Sequence, residues 1–152
     1  MKQAKTGPRI ARILLVEDDP SDAEITRRAL EHAKIGNPLT VVEDGRAALA
    51  LLYRNCGEHD DPSIEMLLVA LGCRGFDGLA VLREVWTDKR LRHIPVIVLG
   101  SSDDSEDVID AYRGGAQAYL RKPVEVERLL GAVSDLHNYR LFITTEPDTG
   151  HS

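Results

Sequence analysis

The chain has 152 residues, 43% of them hydrophobic and 29% charged, enough for one soluble domain with a buried core. Its net charge of -6 argues against nucleic acid as the main partner, because phosphate binding needs a basic face. No apolar run reaches the length of about 18 residues that a membrane span requires, and the polar start lacks the apolar middle of a secretory signal.

Two cysteines, Cys56 and Cys73, are too few for a disulfide framework, and the five histidines show no metal-ligand spacing. The cytoplasm is the expected compartment. Residues 1–9 are expected to be a flexible lead, 10–137 the domain, and 138–152 a C-terminal extension.

In chain order, Arg12 to Val16 is a nearly continuous apolar run, the pattern of a strand covered on both faces of a parallel sheet. Asp19 then offers an N-cap, Pro20 a first helical position and Asp22 a first-turn acid. Ala23, Ile25, Ala29, Leu30 and Ala33 supply the apolar stripe of this helix, and Gly36 is its expected stop. Arg27, Arg28, Glu31 and Lys34 read as its solvated face. Leu39 to Val42 is a weaker strand, followed by a helix from about Gly45 to Asn55 around Ala47, Ala48, Leu51 and Leu52.

Ile64 to Leu71 is the second strong strand. Asp77 can cap a third helix carrying Leu79, Leu82, Val85 and Trp86, with Trp86 expected in the core. Ile94 to Leu99 is the third strong strand. A fourth helix starts among Ser102, Asp103 and Asp104 and stops at Gly114-Gly115. Ala116 to Leu120 is a weak strand, and a last helix after Pro123 places Val126, Leu129, Leu130, Val133 and Leu136 on one face. Five strands alternating with five helices predict a doubly wound α/β fold with right-handed crossovers. In such a sheet, ligands bind beyond the C-terminal strand ends, here after Val16, Leu71, Leu99 and Leu120.

Two of those ends carry chemistry. Glu17-Asp18-Asp19 after the first strand makes a hard-oxygen pocket of the kind Mg²⁺ prefers, although Asp19 also serves as a helix cap. Lys122 after the last strand can reach that pocket as a point charge. A Lys-Pro dipeptide alone is a common turn; combined with the acids it is far more specific.

At this point the sequence resembles the receiver domains of bacterial two-component response regulators, over about residues 10 to 137. The resemblance rests on Ile13 to Asp19, Asp44-Gly45 with Ala47 and Leu49, Phe76 to Leu79, Ile94 to Val98, Gly114 to Ala116 and Tyr119 to Pro123. Val41 to Gly45 and Leu51 to Arg54 also look like a narrower group of stand-alone receivers paired with phytochrome-type histidine kinases.

The resemblance implies a flavodoxin-like five-stranded parallel sheet in the order 2-1-3-4-5, a histidine kinase or another receiver as partner, and a dimer supported by the C-terminal extension. It also implies an acceptor aspartate at the end of strand three, in the pattern Leu-Asp-Leu-x-Leu-Pro-x-x-Asp-Gly. Counted back from Asp77-Gly78, the acceptor position is Ala70, followed by Leu71, Gly72, Cys73 and Arg74. A methyl group cannot form an acyl phosphate.

The hydroxyl expected five residues past Pro95 is missing too, because residue 100 is Gly100; Ser101 should point the other way. Glu17, Asp18, Tyr119 and Lys122 stand at their family positions. With Gly72, Cys73, Arg74 and Gly100 also departing from the pattern, natural degeneracy explains Ala70 better than a single laboratory replacement.

The resemblance assigns Mg²⁺ to Asp18, Glu17 and the carbonyl of Gly72, with binding expected to be weak or absent once one carboxylate is gone. Losing it also relieves a repulsion of roughly 4 kcal/mol between carboxylates about 4 Å apart. Lys122 is then expected to pair with Asp18 or Glu17, and Tyr119 to be either a switch residue or a half-buried strand residue. A receiver using another carboxylate, Asp18 or Asp77, is the competing function, and a small hydrolase fails for want of a nucleophile or base beside the acids.

Overall fold

The structure, a computed structural model, describes residues 12–54, 64–72, 78–101 and 105–136. Strands β1 (Arg12–Val16), β2 (Leu39–Val42), β3 (Ile64–Ala70), β4 (Val96–Gly100) and β5 (Ala118–Arg121) alternate with helices α1 (Pro20–His32), α2 (Gly45–Arg54), α3 (Gly78–Thr87), α4 (Ser105–Arg113) and α5 (Val126–Ser134). All strand pairs are parallel, in the order β2-β1-β3-β4-β5. This is the expected receiver topology.

Period-two alternation divides the core between the two faces of the sheet. Leu14, Val16, Leu67, Val69, Val96 and Val98 pack with Ala48 and Leu52 of α2, Val81, Leu82 and Val85 of α3, and Ala111 of α4. Ile13, Leu15, Met66, Leu68, Ile97 and Leu99 pack with Ala29 and Leu30 of α1 and Leu129 and Val133 of α5. Every residue of β3 is buried, which is why its sequence shows no polar-apolar alternation.

The helix ends show the local chemistry. Asp19 caps α1 as expected, its Oδ1 accepting from the backbone N–H groups of Ser21 at 2.8 Å and Asp22 at 3.3 Å. The stop of α1 lies earlier than Gly36: Ala33 is the C-cap and Lys34 takes the left-handed conformation, φ 67°. Ile35 donates its N–H to the Leu30 carbonyl at 3.0 Å and buries its side chain, so two residues of closure plus an apolar contact replace a glycine.

Three expected core residues lie elsewhere. Ile25 is exposed while Thr26 is buried, because Thr26, Ala29, Leu30 and Ala33 form the true i, i+3, i+4, i+7 stripe. Leu130 is also exposed, one step off the stripe of Leu129 and Val133. Trp86 is 50% exposed and lies over Gly115, where an added Cβ would stand 2.7 Å from the indole. The expected caps at Asp77 and at 102–104, together with Cys73 and the extension from 138, fall outside the described residues.

Candidate functional site

Backbone hydrogen bonds continue past the strands and join the C-terminal end of β1 to β2, of β3 to β4 and of β5 to β4, while the β1–β3 ladder links the two groups. Glu17 N–H donates to the Val42 carbonyl at 2.9 Å, Leu71 N–H to Leu99 at 2.9 Å, and Lys122 N–H to Gly100 at 2.8 Å. These bonds place Glu17, Ala70 and Lys122 at one rim. Ala70 is 1% exposed, in register with Leu99 on β4. Helix α3 begins hard against it: a Cβ on Gly78 would lie 2.6 Å from the Ala70 carbonyl oxygen, which fixes glycine at the start of that helix.

Glu17 is buried, and its two oxygens have separate tasks. Its Oε2 accepts from the Asp19 N–H at 3.2 Å, while Oε1 faces Lys122 Nζ at 2.7 Å. The latter contact is a close ion pair with one partner almost fully buried. Lys122 also donates to Asp22 Oδ2 at 3.0 Å. Burial opposes the charged form of this lysine, but the carboxylates of Glu17 and Asp22 outweigh it and raise its pKa above the ordinary lysine value. The ammonium is thereby held between two acids.

Of the two expected partners of Lys122, the structure selects Glu17. Asp22 was legible only as a first-turn helix acid; no sequence signal marks it as the second partner, which lies 100 residues away along the chain. Asp18 is half-buried at the rim. Gly72 follows β3 in the left-handed conformation, φ 80°, which a side chain rarely adopts.

Gly100 and Tyr119 are brought together more closely than the sequence suggests. The tyrosine packs against the α2–α3 face of the core, and its hydroxyl fills the space where a residue-100 side chain would start. Ser101 is exposed. The Tyr119 backbone N–H, on the outer edge of β5, donates to the Tyr112 hydroxyl of α4 at 3.2 Å.

Among the described residues, no three His, Cys, Asp or Glu side chains gather as a metal site. Glu17 and Asp18 bring carboxylates to this rim, where one oxygen of Glu17 faces an ammonium and Ala70 supplies no side-chain oxygen. No described helix is long and apolar enough to cross a membrane.

Comparison with known proteins agrees with this architecture. The response regulator Rcp1 of Synechocystis sp. is 31% identical over 147 residues, 97% of this chain and 99% of that protein. The bacteriophytochrome response regulator RtBRR has 40% identity and a TM-score of 0.74, covering 84% of this chain and 78% of that one. A crystal structure of the Mn²⁺-bound form of Rcp1 matches with a TM-score of 0.67 at 33% identity, over 90% of this chain and 99% of that one. Residues 13–134 match the response regulator receiver domain family, and the chain belongs to that family of two-component signalling proteins.

Proposed function

We propose that this receiver works through protein–protein contact without accepting phosphate at the usual position. The observation that carries the reading is Ala70, buried at the end of β3, on the sheet rim where Lys122 is paired with Glu17 and Asp22. A phosphoryl group would find neither a nucleophile at residue 70 nor a hydroxyl at residue 100. Its partner is a histidine kinase of the phytochrome type or another receiver, a reading supported by the likeness to RtBRR. Mg²⁺ is not required for that contact and binds weakly at most.

Incubation of the full chain with acetyl phosphate and Mg²⁺, followed by intact-mass measurement, tests the reading. The expected result is an unchanged mass. A stoichiometric gain of one phosphoryl group, mapped to Asp18 or Asp77, would establish the competing function instead.

The extension from 138 to 152 is proposed as the arm of a homodimer, on the strength of its apolar Leu141, Phe142 and Ile143. Sedimentation equilibrium of a chain ending at Tyr139 should give the monomer mass; a retained dimer would refute the arm.

A further inference from the structure

The loss of a hydroxyl at residue 100 has a steric side as well as a chemical one. A Cβ built on Gly100 would lie 2.0 Å from the Tyr119 hydroxyl oxygen, 2.6 Å from Cζ and 3.1 Å from Cε2. Non-bonded carbon atoms do not approach so closely, since the attractive minimum lies at about 3.5–4.0 Å. The observed place of the ring is therefore available only because residue 100 is glycine. Alanine, serine and threonine are all excluded unless the ring leaves.

A second contact fixes the same residue from the other side. Strand β5 is an edge strand of the sheet. The outward N–H of Tyr119 is taken by the hydroxyl of Tyr112, the penultimate residue of α4. Tyr119 is thus tied to β4 through its ring and to α4 through its backbone. Tyr119 also lines, with Val108 of α4 and Arg121 of β5, the open groove between α4 and the start of α5.

We propose that Gly100 and Tyr119 form a steric lock. The missing side chain on β4 seats the tyrosine inward with no phosphoryl group to draw it there, and the α4–β5 face is presented in one fixed state. The lock goes beyond the loss of phosphorylation: it concerns the ring's place and would operate whether or not another carboxylate were labelled. A site that has lost its two phosphate-handling groups then still holds its outward-facing surface in a single arrangement.

The test is fluorine NMR on the full chain labelled with 3-fluorotyrosine, with Y119F used to assign the Tyr119 resonance among the four tyrosines. In the unmodified chain one Tyr119 resonance is expected, with the small solvent-isotope shift of a shielded ring. In G100A that resonance should move toward the value of free 3-fluorotyrosine, with a larger isotope shift. A folded G100A whose Tyr119 resonance stays in place would overturn the lock. Should G100A fail to fold, G100A/Y119A decides: recovery of the native circular dichroism supports the lock, because the clashing ring is gone, and continued unfolding overturns it. Acetyl phosphate labelling reads out separately, so failure of the lock and failure of the phosphate-independent reading remain distinct.

Discussion

Two acid–base arrangements sit on the same helix and differ in burial rather than in distance. At the start of α1, Asp22 meets Lys122, which also faces Glu17; the side chains are 35%, 14% and 1% exposed. One turn later, Glu24, Arg27, Arg28 and Glu31 form a ladder whose side chains are 43% to 67% exposed. Arg28 approaches Glu24 at 3.0 Å, the same separation as Lys122 from Asp22.

Charges about 4 Å apart attract by roughly 1 kcal/mol in water but roughly 4 kcal/mol near a protein surface of effective dielectric about 20. Hydrogen bonds from Arg27 and then Arg28 lower the Glu24 pKa to about 2. Water nevertheless screens the ladder, and its net effect on folding is small. Glu17 has no such recourse. The lesson is that the rim of the site, not the showier outer face of α1, is where charge matters to this fold.

The largest effect should come from removing the ammonium. Lys122→Met leaves Glu17 buried with no compensating charge and should destabilise the domain by about 3 kcal/mol, the low end for a broken buried pair because Lys122 is partly exposed. Urea unfolding checks this; a midpoint unchanged within error would mean that water already serves Glu17.

The base limb of the stability curve sharpens the same contrast. Because the folded Lys122 pKa is raised, the unfolded lysine releases its proton first as pH rises. The contribution is full below the unfolded value of about 10.4 and is lost as pH climbs through the folded value. Wild type should therefore lose more stability than Lys122→Met as pH rises above about 10.4. Parallel curves in urea titrations across that range would remove the electrostatic account.

The smallest effect belongs to the ladder. Arg27→Ala should lower Tm by less than about 2 °C, and by less still in high salt. A drop in Tm comparable to that of Lys122→Met would erase the distinction between the two regions.

Most of the fold was legible because its signals are local. Apolar runs such as Leu14 to Val16 and Met66 to Ala70, and the Asp19-Pro20 start of α1, depend only on a strand period of two, a helix period of 3.6 and cap chemistry. The family motifs then placed Ala70, Gly100 and Lys122 by counting along the chain. What misled was local as well: Ile25, Leu130 and Trp86 are apolar residues near a stripe, yet each is exposed. A stripe's edge is set by what packs against it, and that partner is distant in sequence.

The sequence by itself determined the topology and, by counting along the chain, set Ala70 and Gly100 at the ends of β3 and β4. Only the tertiary structure decided that Lys122 is shared between Glu17 and Asp22, and that Tyr119 occupies the space beside Gly100. The physical reason is the same in both cases. Residues from β1, α1, β4 and β5 converge at the strand ends through the parallel crossovers, and neither a charge balance nor a steric fit can be read until the sheet has brought them together.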